Sequence, residues 1–186
     1  MKIETKHNPM HKMVELKARV NDHNILRTKL SAIGAKYGGT FEQKDQYFIV
    51  PEGRLKLRTV KDTDSTELIF YERENIAGPK NDEAYILRVQ ESEDLKTILK
   101  KILKPFVVIE KNREIYQYKV TAVSSKYLHI QIHLDVVKKL GTFLELEMES
   151  SDRTCKKEKL FLQNFAKKLG IKEEQLEKMS YADLIS

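Results

Sequence analysis

The sequence contains a single cysteine, Cys155, and its apolar runs fall far short of the roughly 20 residues needed to span a bilayer. One cysteine cannot form a disulfide within the chain, as is usual in a reducing compartment. The first ten residues have neither the apolar core of a secretory signal nor the arginine-rich, acid-poor composition of a transit peptide. We therefore expect a cytoplasmic protein without a membrane segment.

Signatures of several functional classes are also missing. The loop Gly78-Pro79-Lys80 lacks the spacing of a P-loop, and no nucleophilic triad is evident. His129 and His133 have no cysteine partners, which argues against a zinc site. The net charge of +6 favours anionic partners. Because no helix-turn-helix, zinc finger or aromatic RNA-binding motif accompanies it, no specific nucleic acid partner is expected.

The length of 186 residues fits a single domain with a core of ordinary size. We expect that domain to span residues 1–186, with an N-terminal extension at 1–12 and a helical segment at about 152–186. Charged residues make up 33% of the chain and hydrophobic residues 40%, which is typical of globular proteins.

The most informative feature present is a period-two alternation of charged and aliphatic residues. In residues 13–20 the charged side chains Glu15, Lys17 and Arg19 alternate with aliphatic neighbours, and side chains two apart share one face of a strand. The pattern returns at 54–58, 110–113, 128–135 and 143–149. Several such strands predict a shared charged surface, such as the lumen of a barrel, that could hold a polyanion and its metal.

The order of elements predicts an α+β protein built on an eight-stranded antiparallel β-barrel with flanking and C-terminal helices. Strands are expected at about 13–20, 44–50, 54–60, 66–73, 84–89, 106–119, 126–135 and 142–149. A helix should follow the Asn21-Asp22 cap and end near Gly34, and a second should run from Ser92 to Pro105. Residues 136–141 are expected to form a short helical turn, and helices should fill 152–170 and the stretch from about 172 to the end.

The apolar faces of the first two helices can be read from their spacing. For the first helix they are Ile25, Leu26, Leu30 and Ile33, and for the second Leu95, Ile98, Leu99, Ile102 and Leu103.

Three carboxylates at alternate positions, Glu145, Glu147 and Glu149, would lie on one face at intervals of about 7 Å. Adjacent like charges repel unless cations or a metal ion compensate them. Oxygen ligands point to magnesium or manganese. An exposed acidic strand edge is the alternative interpretation, but the neighbouring cationic strands favour a metal site.

Cations at alternating positions come from five different segments. They are Lys17, Lys56, Arg58, Arg73, Lys111 and Arg113. Arginine suits bidentate phosphate contacts and lysine supplies a point charge. A triphosphate carries about four negative charges, so several converging cations are what it requires. Lys80 would reach such a ligand from the rim.

Short segments, in order from about residue 13 to the C-terminus, resemble the CYTH superfamily, with class IV adenylyl cyclases as the most similar branch. They are Val14-Glu-Leu-Lys17, Asp45-Gln-Tyr-Phe48, Arg54-Leu-Lys-Leu-Arg58, Tyr71-Glu-Arg73, Gly78-Pro-Lys80, Glu110-Lys-Asn-Arg113, His133-Leu-Asp135, Leu140-Gly-Thr-Phe-Leu-Glu-Leu-Glu147 and Ser180-Tyr-Ala-Asp-Leu184. The resemblance implies a triphosphate tunnel, a barrel whose inner face binds triphosphate through lysine and arginine and binds divalent metal through acidic residues.

The resemblance also implies roles for individual residues. The substrate-binding set is Lys17, Lys56, Arg58, Arg73, Lys80, Lys111 and Arg113. The ligands of Mg²⁺ or Mn²⁺ are Glu15, Asp135, Glu145 and Glu147, with orientation of a neighbouring cation as the other role for Asp135. The catalytic set is Glu15, Lys17, Glu145 and Glu147.

One position departs from the family pattern. The signature Glu-x-Glu-x-Lys begins with an acid, and this chain has Met13 there, followed by Glu15 and Lys17. A thioether is a poor ligand for hard Mg²⁺, so one metal site should be weakened.

The resemblance leaves three functions open. They are conversion of ATP to cyclic AMP and pyrophosphate, hydrolysis of inorganic, thiamine or nucleoside triphosphate, and triphosphate binding without catalysis. Family members are often dimers, so a homodimer is also considered.

Overall fold

The computed structural model describes residues 10–90, 92–121, 127–150 and 154–185. The strands within these ranges are β1 (His11–Arg19), β2 (Lys36–Phe48), β3 (Arg54–Val60), β4 (Thr66–Arg73), β5 (Lys80–Val89), β6 (Pro105–Thr121), β7 (Tyr127–Val137) and β8 (Gly141–Glu149). The helices are α1 (His23–Ala32), α2 (Ser92–Ile102), α3 (Lys156–Lys168) and α4 (Tyr181–Ile185), with a 3-10 turn at Glu173–Gln175. None of the described helices is long and apolar enough to cross a membrane.

The strands close into a barrel in the order β1-β5-β4-β3-β2-β6-β7-β8. Every neighbouring pair is antiparallel, and the first strand completes the closure by pairing with both β5 and β8. The predicted fold class is therefore confirmed. Closure leaves no free edge along the sheet, which removes a route to edge-to-edge aggregation.

The alternation along β1 separates two buried environments. Val14, Leu16 and Ala18 are fully buried on the outer face, in an apolar cluster that also contains residues of α1 and α3. Glu15 and Lys17 point into the barrel and line its cavity. The aliphatic face is thus covered by helices while the charged face is enclosed by other strands. Burying each large aliphatic side chain contributes roughly 1.5–3 kcal/mol to the free energy of unfolding. The outer apolar layer therefore offsets the free energy lost by enclosing charged side chains in the barrel.

The helix limits agree with the sequence, but the predicted apolar faces were too wide. Asp22 accepts a hydrogen bond from the backbone of Asn24 at 2.8 Å and starts α1. Leu26 and Leu30 are buried, whereas Ile25 is 60% exposed. Of the apolar residues predicted for the two helix faces, Ile33, Ile98 and Ile102 are exposed as well, and α2 buries Leu99. Both helices contact a convex barrel along a narrow stripe, so side chains that flank the stripe remain in solvent.

Two turns decide how the strands pair. The Pro51–Gly53 turn joins β2 and β3 as expected; Gly53 has φ +66°, and an added Cβ would lie 2.6 Å from the ring of Phe70. The helical turn expected at 136–141 was wrong, because β7 continues to Val137 and pairs there with Gly141 at the start of β8. The strand expected at 44–50 also begins earlier, at Lys36.

The C-terminal segment, residues 176–185, crosses one end of the barrel. Leu176 bridges to Ala18, and the Glu177 backbone donates to the Lys17 carbonyl at 2.9 Å. A further ion pair joins Arg54 to Asp183 at 2.9 Å. The helix expected from about 172 to the end is therefore reduced to the 3-10 turn and α4, with extended chain between them that brings Tyr181 to the barrel interior.

Candidate functional site

A cavity of about 520 Å³ runs through the barrel, and most of the predicted site residues line it. Nine of them do so: Glu15, Lys17, Lys56, Arg58, Arg73, Lys111, Arg113, Glu145 and Glu147. Ser180 and Tyr181 of the C-terminal segment line the same cavity. Three of the cations contact this segment: Lys17 and Lys111 lie near the ring of Tyr181, and Arg73 donates to the Lys178 carbonyl.

The β2–β3 hairpin supplies one pair of cations with an acid between them. Asp45 lies opposite Arg58 in the register and accepts from its Nε at 2.7 Å and its Nη2 at 2.8 Å. Lys56 donates to the same carboxylate at 3.1 Å. Burial opposes the charge of Asp45, yet Arg58 and Lys56 hold its pKa well below the ordinary value. Asp45 thus holds both cations of the hairpin, Lys56 and Arg58, in fixed positions at the cavity.

A second group lies across β6, β7 and β8. Arg113 donates to both oxygens of Asp135, at 2.8 and 2.6 Å, and also to Glu145. Tyr181 donates a hydrogen bond from its hydroxyl to Asp135 at 2.9 Å, and the Lys111 Nζ lies 3.6 Å from the same carboxylate. Burial disfavours the charged carboxylate, but Arg113 and Lys111 outweigh it and lower the pKa of Asp135 to about 2. Asp135 therefore orients cations in this structure.

A third group is centred on β1. Arg73 donates to Glu15 at 3.0 Å, and the Lys17 Nζ lies 3.0 Å from Glu145 and 3.7 Å from Glu15. The Lys17 ammonium also stands 3.9 Å from the centre of the Tyr181 ring, a cation–π contact. These contacts fix Lys17 between two carboxylates and an aromatic face.

Three potential metal ligands converge beside this group. One ligand atom each from His133, Glu145 and Glu147 can be chosen so that all three lie within 4.8 Å of one another. The His133 Nδ1 is 3.4 Å from Glu147 and 3.9 Å from Glu145, is buried, and has no hydrogen-bond partner among the described residues. Burial opposes ionisation of Glu147, but His133 outweighs it and lowers the pKa of that carboxyl to about 2.

The donor set at this place fits a divalent cation. An imidazole nitrogen and two carboxylates are ligands that manganese accepts, and the carboxylates also suit magnesium. Burial and Arg113 oppose the charge of His133, but Glu147 and Glu145 outweigh them and raise its pKa, so the imidazole would have to release a proton to bind a metal ion. His133 and Glu145 are buried, so their side chains are already ordered. A bound cation would reduce the repulsion between the two carboxylates with little further loss of side-chain entropy.

Two lysines of the site have lowered pKa values. Burial and the neighbouring Arg113 lower the pKa of Lys111 to about 7. Burial and Arg58 also lower the pKa of Lys56. A polyanion bound beside Lys111 would favour its protonated form, so binding is expected to take up a proton near neutral pH.

Lys80 and Asp135 differ from the other predicted site residues, because neither lines the cavity. Lys80 is fully buried, and its Nζ donates to the carbonyls of Glu177 at 2.9 Å and Lys178 at 3.5 Å. In this structure it therefore anchors the C-terminal segment rather than reaching from the rim.

Sequence reasoning gave no site role to four residues that the structure places at the cavity: Asp45, Asp82, His133 and Tyr181. The turn at residues 51–53 fixes a register that sets Asp45 opposite Arg58, so this residue could have been found from the hairpin alone. Asp82 gave no such signal, because it meets β1 across a pairing of strands distant in sequence. Burial, with Glu15 and Glu147 nearby, raises the pKa of Asp82 to about 7.

The family can be stated from comparison with known sequences. The CYTH domain pattern matches residues 11–181, nearly the whole chain. This chain belongs to the CYTH domain family. CYTH tunnels generally bind triphosphates, and CYTH enzymes generally use divalent metals, which agrees with the gathered cations and with the histidine–carboxylate group.

Individual CYTH relatives resemble the chain over nearly its full length. A Methanocaldococcus jannaschii protein named putative adenylate cyclase is 29% identical over 184 residues, covering 92% of this chain and 97% of its own. The structure of the PH1012 protein of Pyrococcus horikoshii superimposes with a TM-score of 0.77 at 28% identity, covering 94% of this chain and 99% of that one.

A third CYTH-like neighbour shares the fold alone. It is a Hippeastrum protein described as a putative adenylyl cyclase with a dominant triphosphatase activity, and its TM-score is 0.61 at 15% identity. The match covers 95% of this chain and 94% of that one.

Proposed function

We propose that this protein is a divalent-metal-dependent enzyme that acts on a nucleoside triphosphate or another organic triphosphate, with conversion of ATP to cyclic AMP and pyrophosphate as the first assignment. The observation that carries the proposal is the enclosure of six cations and a histidine–carboxylate group in one cavity. The similarity to a protein named putative adenylate cyclase supports this assignment.

The charge balance of the interior supports a metal requirement. Six lysines and arginines line the cavity, and seven carboxylates line it with them: Glu15, Asp45, Glu67, Asp82, Glu145, Glu147 and Glu149. The carboxylates therefore offset the charge of the cations. A triphosphate brings about four further negative charges, and enclosing them uncompensated would be costly. Divalent cations would offset that charge.

The cavity lining combines the cations with apolar and uncharged polar side chains. The apolar ones are Met13, Phe41, Val60, Ile69, Ala84, Ile86 and Ile115, and the polar ones include Gln43, Thr63, Ser65 and Gln131. Apolar walls favour an organic group over water. The lining therefore suits a triphosphate that carries an organic group.

In the cyclase reaction the ribose 3'-oxygen forms a bond to the α-phosphorus, and the bond from that phosphorus to the pyrophosphate oxygen breaks. Arg58 and Arg113, held by Asp45 and Asp135, are oriented to stabilise charge on the departing phosphates. Glu145 and Glu147, with His133, would hold a divalent cation, which when bound lowers the pKa of the attacking hydroxyl. Fixed cations and carboxylates of this kind need little rearrangement as charge shifts to the leaving group.

Hydrolysis of a triphosphate is the second candidate, since water could attack the terminal phosphate at the same cations. The Hippeastrum protein, which shares the fold, is described with such an activity. Triphosphate binding without catalysis is the third candidate, motivated by Met13.

Product analysis separates these functions. The protein is incubated with ATP, inorganic triphosphate or thiamine triphosphate, each with Mg²⁺ or Mn²⁺, beside a Glu145→Gln/Glu147→Gln variant. Cyclic AMP with pyrophosphate is expected from ATP, and turnover of inorganic triphosphate should be slower than turnover of the organic substrates. Orthophosphate release without cyclic AMP would establish the second candidate. No product above that of the variant would contradict catalysis.

Lys56→Ala tests phosphate binding apart from turnover. The variant should fold, because Asp45 keeps its two hydrogen bonds from Arg58. We expect the Kd for ATP to rise about 10-fold or more, since one charge-assisted hydrogen bond contributes about 1.5–3 kcal/mol. Isothermal titration calorimetry provides the measurement.

The matched control for this lysine is Lys61→Ala. Lys61 follows the same strand but is exposed and paired with Glu42. Its removal should change the Kd less than twofold. Equal effects of the two substitutions would show that triphosphate binds elsewhere.

A further inference from the structure

Tyr181 brings an aromatic ring from the C-terminal segment to two lysines of the cavity. It is 5% exposed and lines the cavity. The Lys17 Nζ lies 3.9 Å from the centre of its ring, and the Lys111 Nζ lies 5.3 Å from the same centre. An ammonium within about 6 Å of a ring centre is attracted by the negative face of the ring. One ring is therefore shared by lysines of β1 and β6, strands that are not neighbours in the barrel.

Other groups hold this ring in place. The Tyr181 hydroxyl donates to Asp135 at 2.9 Å, and the ring packs edge-on against that of Phe143, with 4.9 Å between the two centres. The backbone is held as well, because the Ser180 amide donates to the Asp183 carboxylate at 3.1 Å and the Asp183 amide donates to the Ser180 hydroxyl at 3.2 Å. This reciprocal pair caps the start of α4. The position of the ring therefore does not depend on the lysines alone.

The ring restrains the two lysines without adding a negative charge beside them. Lys17 lies 3.0 Å from Glu145 and Lys111 lies 3.6 Å from Asp135, so each ammonium already has an acidic partner. A further carboxylate would compete with a bound phosphate for the same ammonium. An aromatic ring attracts the ammonium but carries no net charge. A lysine loses rotamer entropy when a ligand immobilises it, so restraint before binding raises the affinity.

We propose that Tyr181 is a positioning residue of the triphosphate site, and that its ring holds Lys17 and Lys111 where both can contact one phosphate chain. The C-terminal segment then completes a site whose cations come from the barrel strands. Tyr181 acts on the ligand through the two lysines. The inference rests on the proposed function, because it takes the ligand to be a triphosphate, but it requires binding only and no turnover.

The test changes the electron density of the ring while keeping its size. Tyr181→Phe removes the hydroxyl and keeps the ring. Trifluorophenylalanine incorporated at the same position has nearly the same shape, but its fluorine atoms withdraw electron density from the ring face and weaken the attraction for an ammonium. Isothermal titration calorimetry gives the Kd for ATP in the absence of metal. We expect Tyr181→Phe to stay within about twofold of the wild type, and the fluorinated variant to bind about 5-fold or more weakly than Tyr181→Phe.

Trifluorophenylalanine in place of Phe165 is the matched control. Phe165 is also buried, but it does not line the cavity, and its ring stacks on Tyr118 and Phe161. Fluorination there should change the Kd less than twofold.

Equal Kd values for Tyr181→Phe and its fluorinated counterpart would overturn the inference and leave the proposed function standing, since a purely structural role does not depend on the electrons of the ring. Weaker binding on fluorination at position 181, with no turnover of any triphosphate, would support the role of Tyr181 and contradict the proposed function. A wild type that binds no ATP would contradict both.

Discussion

Replacing Glu147 with glutamine is expected to lower kcat at saturating metal and triphosphate by about 100-fold or more. Glu147 accepts no hydrogen bond from a lysine or arginine among the described residues, whereas Glu145 is held by Lys17 and Arg113. Its carboxylate is therefore more available than that of Glu145 to a cation in the cavity. A bound cation contributes several kcal/mol to stabilisation of the transition state, and each 1.36 kcal/mol changes the rate about tenfold.

The loss should appear in turnover and much less in binding. The affinity for triphosphate in the absence of metal should stay within about threefold of the wild type, since the lysines and arginines of the cavity are untouched. Glu110→Gln is the matched control, because Glu110 lies outside the cavity and pairs with Lys138 at 2.6 Å. A Glu147→Gln variant that kept kcat within threefold would contradict a metal role for this residue.

Replacing Arg113 with methionine is expected to lower the free energy of unfolding by about 3–5 kcal/mol. Arg113 is 5% exposed, and its guanidinium donates to both oxygens of Asp135 and to Glu145. Removing it leaves two buried carboxylates with Lys111 and Lys17 as their nearest cations. Urea denaturation followed by circular dichroism measures the change.

A second variant distinguishes lost charge pairing from lost packing. Arg113→Met with Asp135→Asn should recover part of the stability, because the amide can still accept from Tyr181 and no longer carries a buried charge. Arg27→Met is the matched control, since Arg27 also makes two hydrogen bonds to one carboxylate, Glu114, but its side chain is 41% exposed. It should cost less than about 1 kcal/mol. Similar losses for Arg27→Met and Arg113→Met would show that burial of the pair is unimportant.

The sequence was sufficient to predict the barrel because strand alternation is a local property. Most charged side chains at 13–20, 54–58 and 143–149 line the cavity, and the aliphatic faces lie under helices or in other apolar clusters. Arg19 and Arg54 instead pair with Glu177 and Asp183 of the C-terminal segment. The turns were predicted less accurately than the strands. The turn at 51–53 was correct, but residues 136–141 were taken for helix because Val-Val-Lys-Lys-Leu-Gly suits a short helical turn as well as a hairpin.

The helix faces were overpredicted for a related reason. The spacing of Ile25, Leu26, Leu30 and Ile33 shows which side of α1 is apolar but does not show how much of that side the barrel covers. His133 shows the same limit within the site. Its face was predicted, but its role depends on the β7–β8 register that sets it opposite Glu145.

The strand pattern predicted which side chains share a face, because backbone geometry fixes a period of two in every strand. The sequence also contains the cations and carboxylates that line the cavity. Which of these side chains meet depends on the tertiary structure. The closure of β1 against β5 and β8 brings together residues far apart in the chain, so Asp82 stands beside Met13 and the backbone carbonyl of Glu177 receives Lys80. Such contacts depend on the global order of strands, which no local pattern specifies.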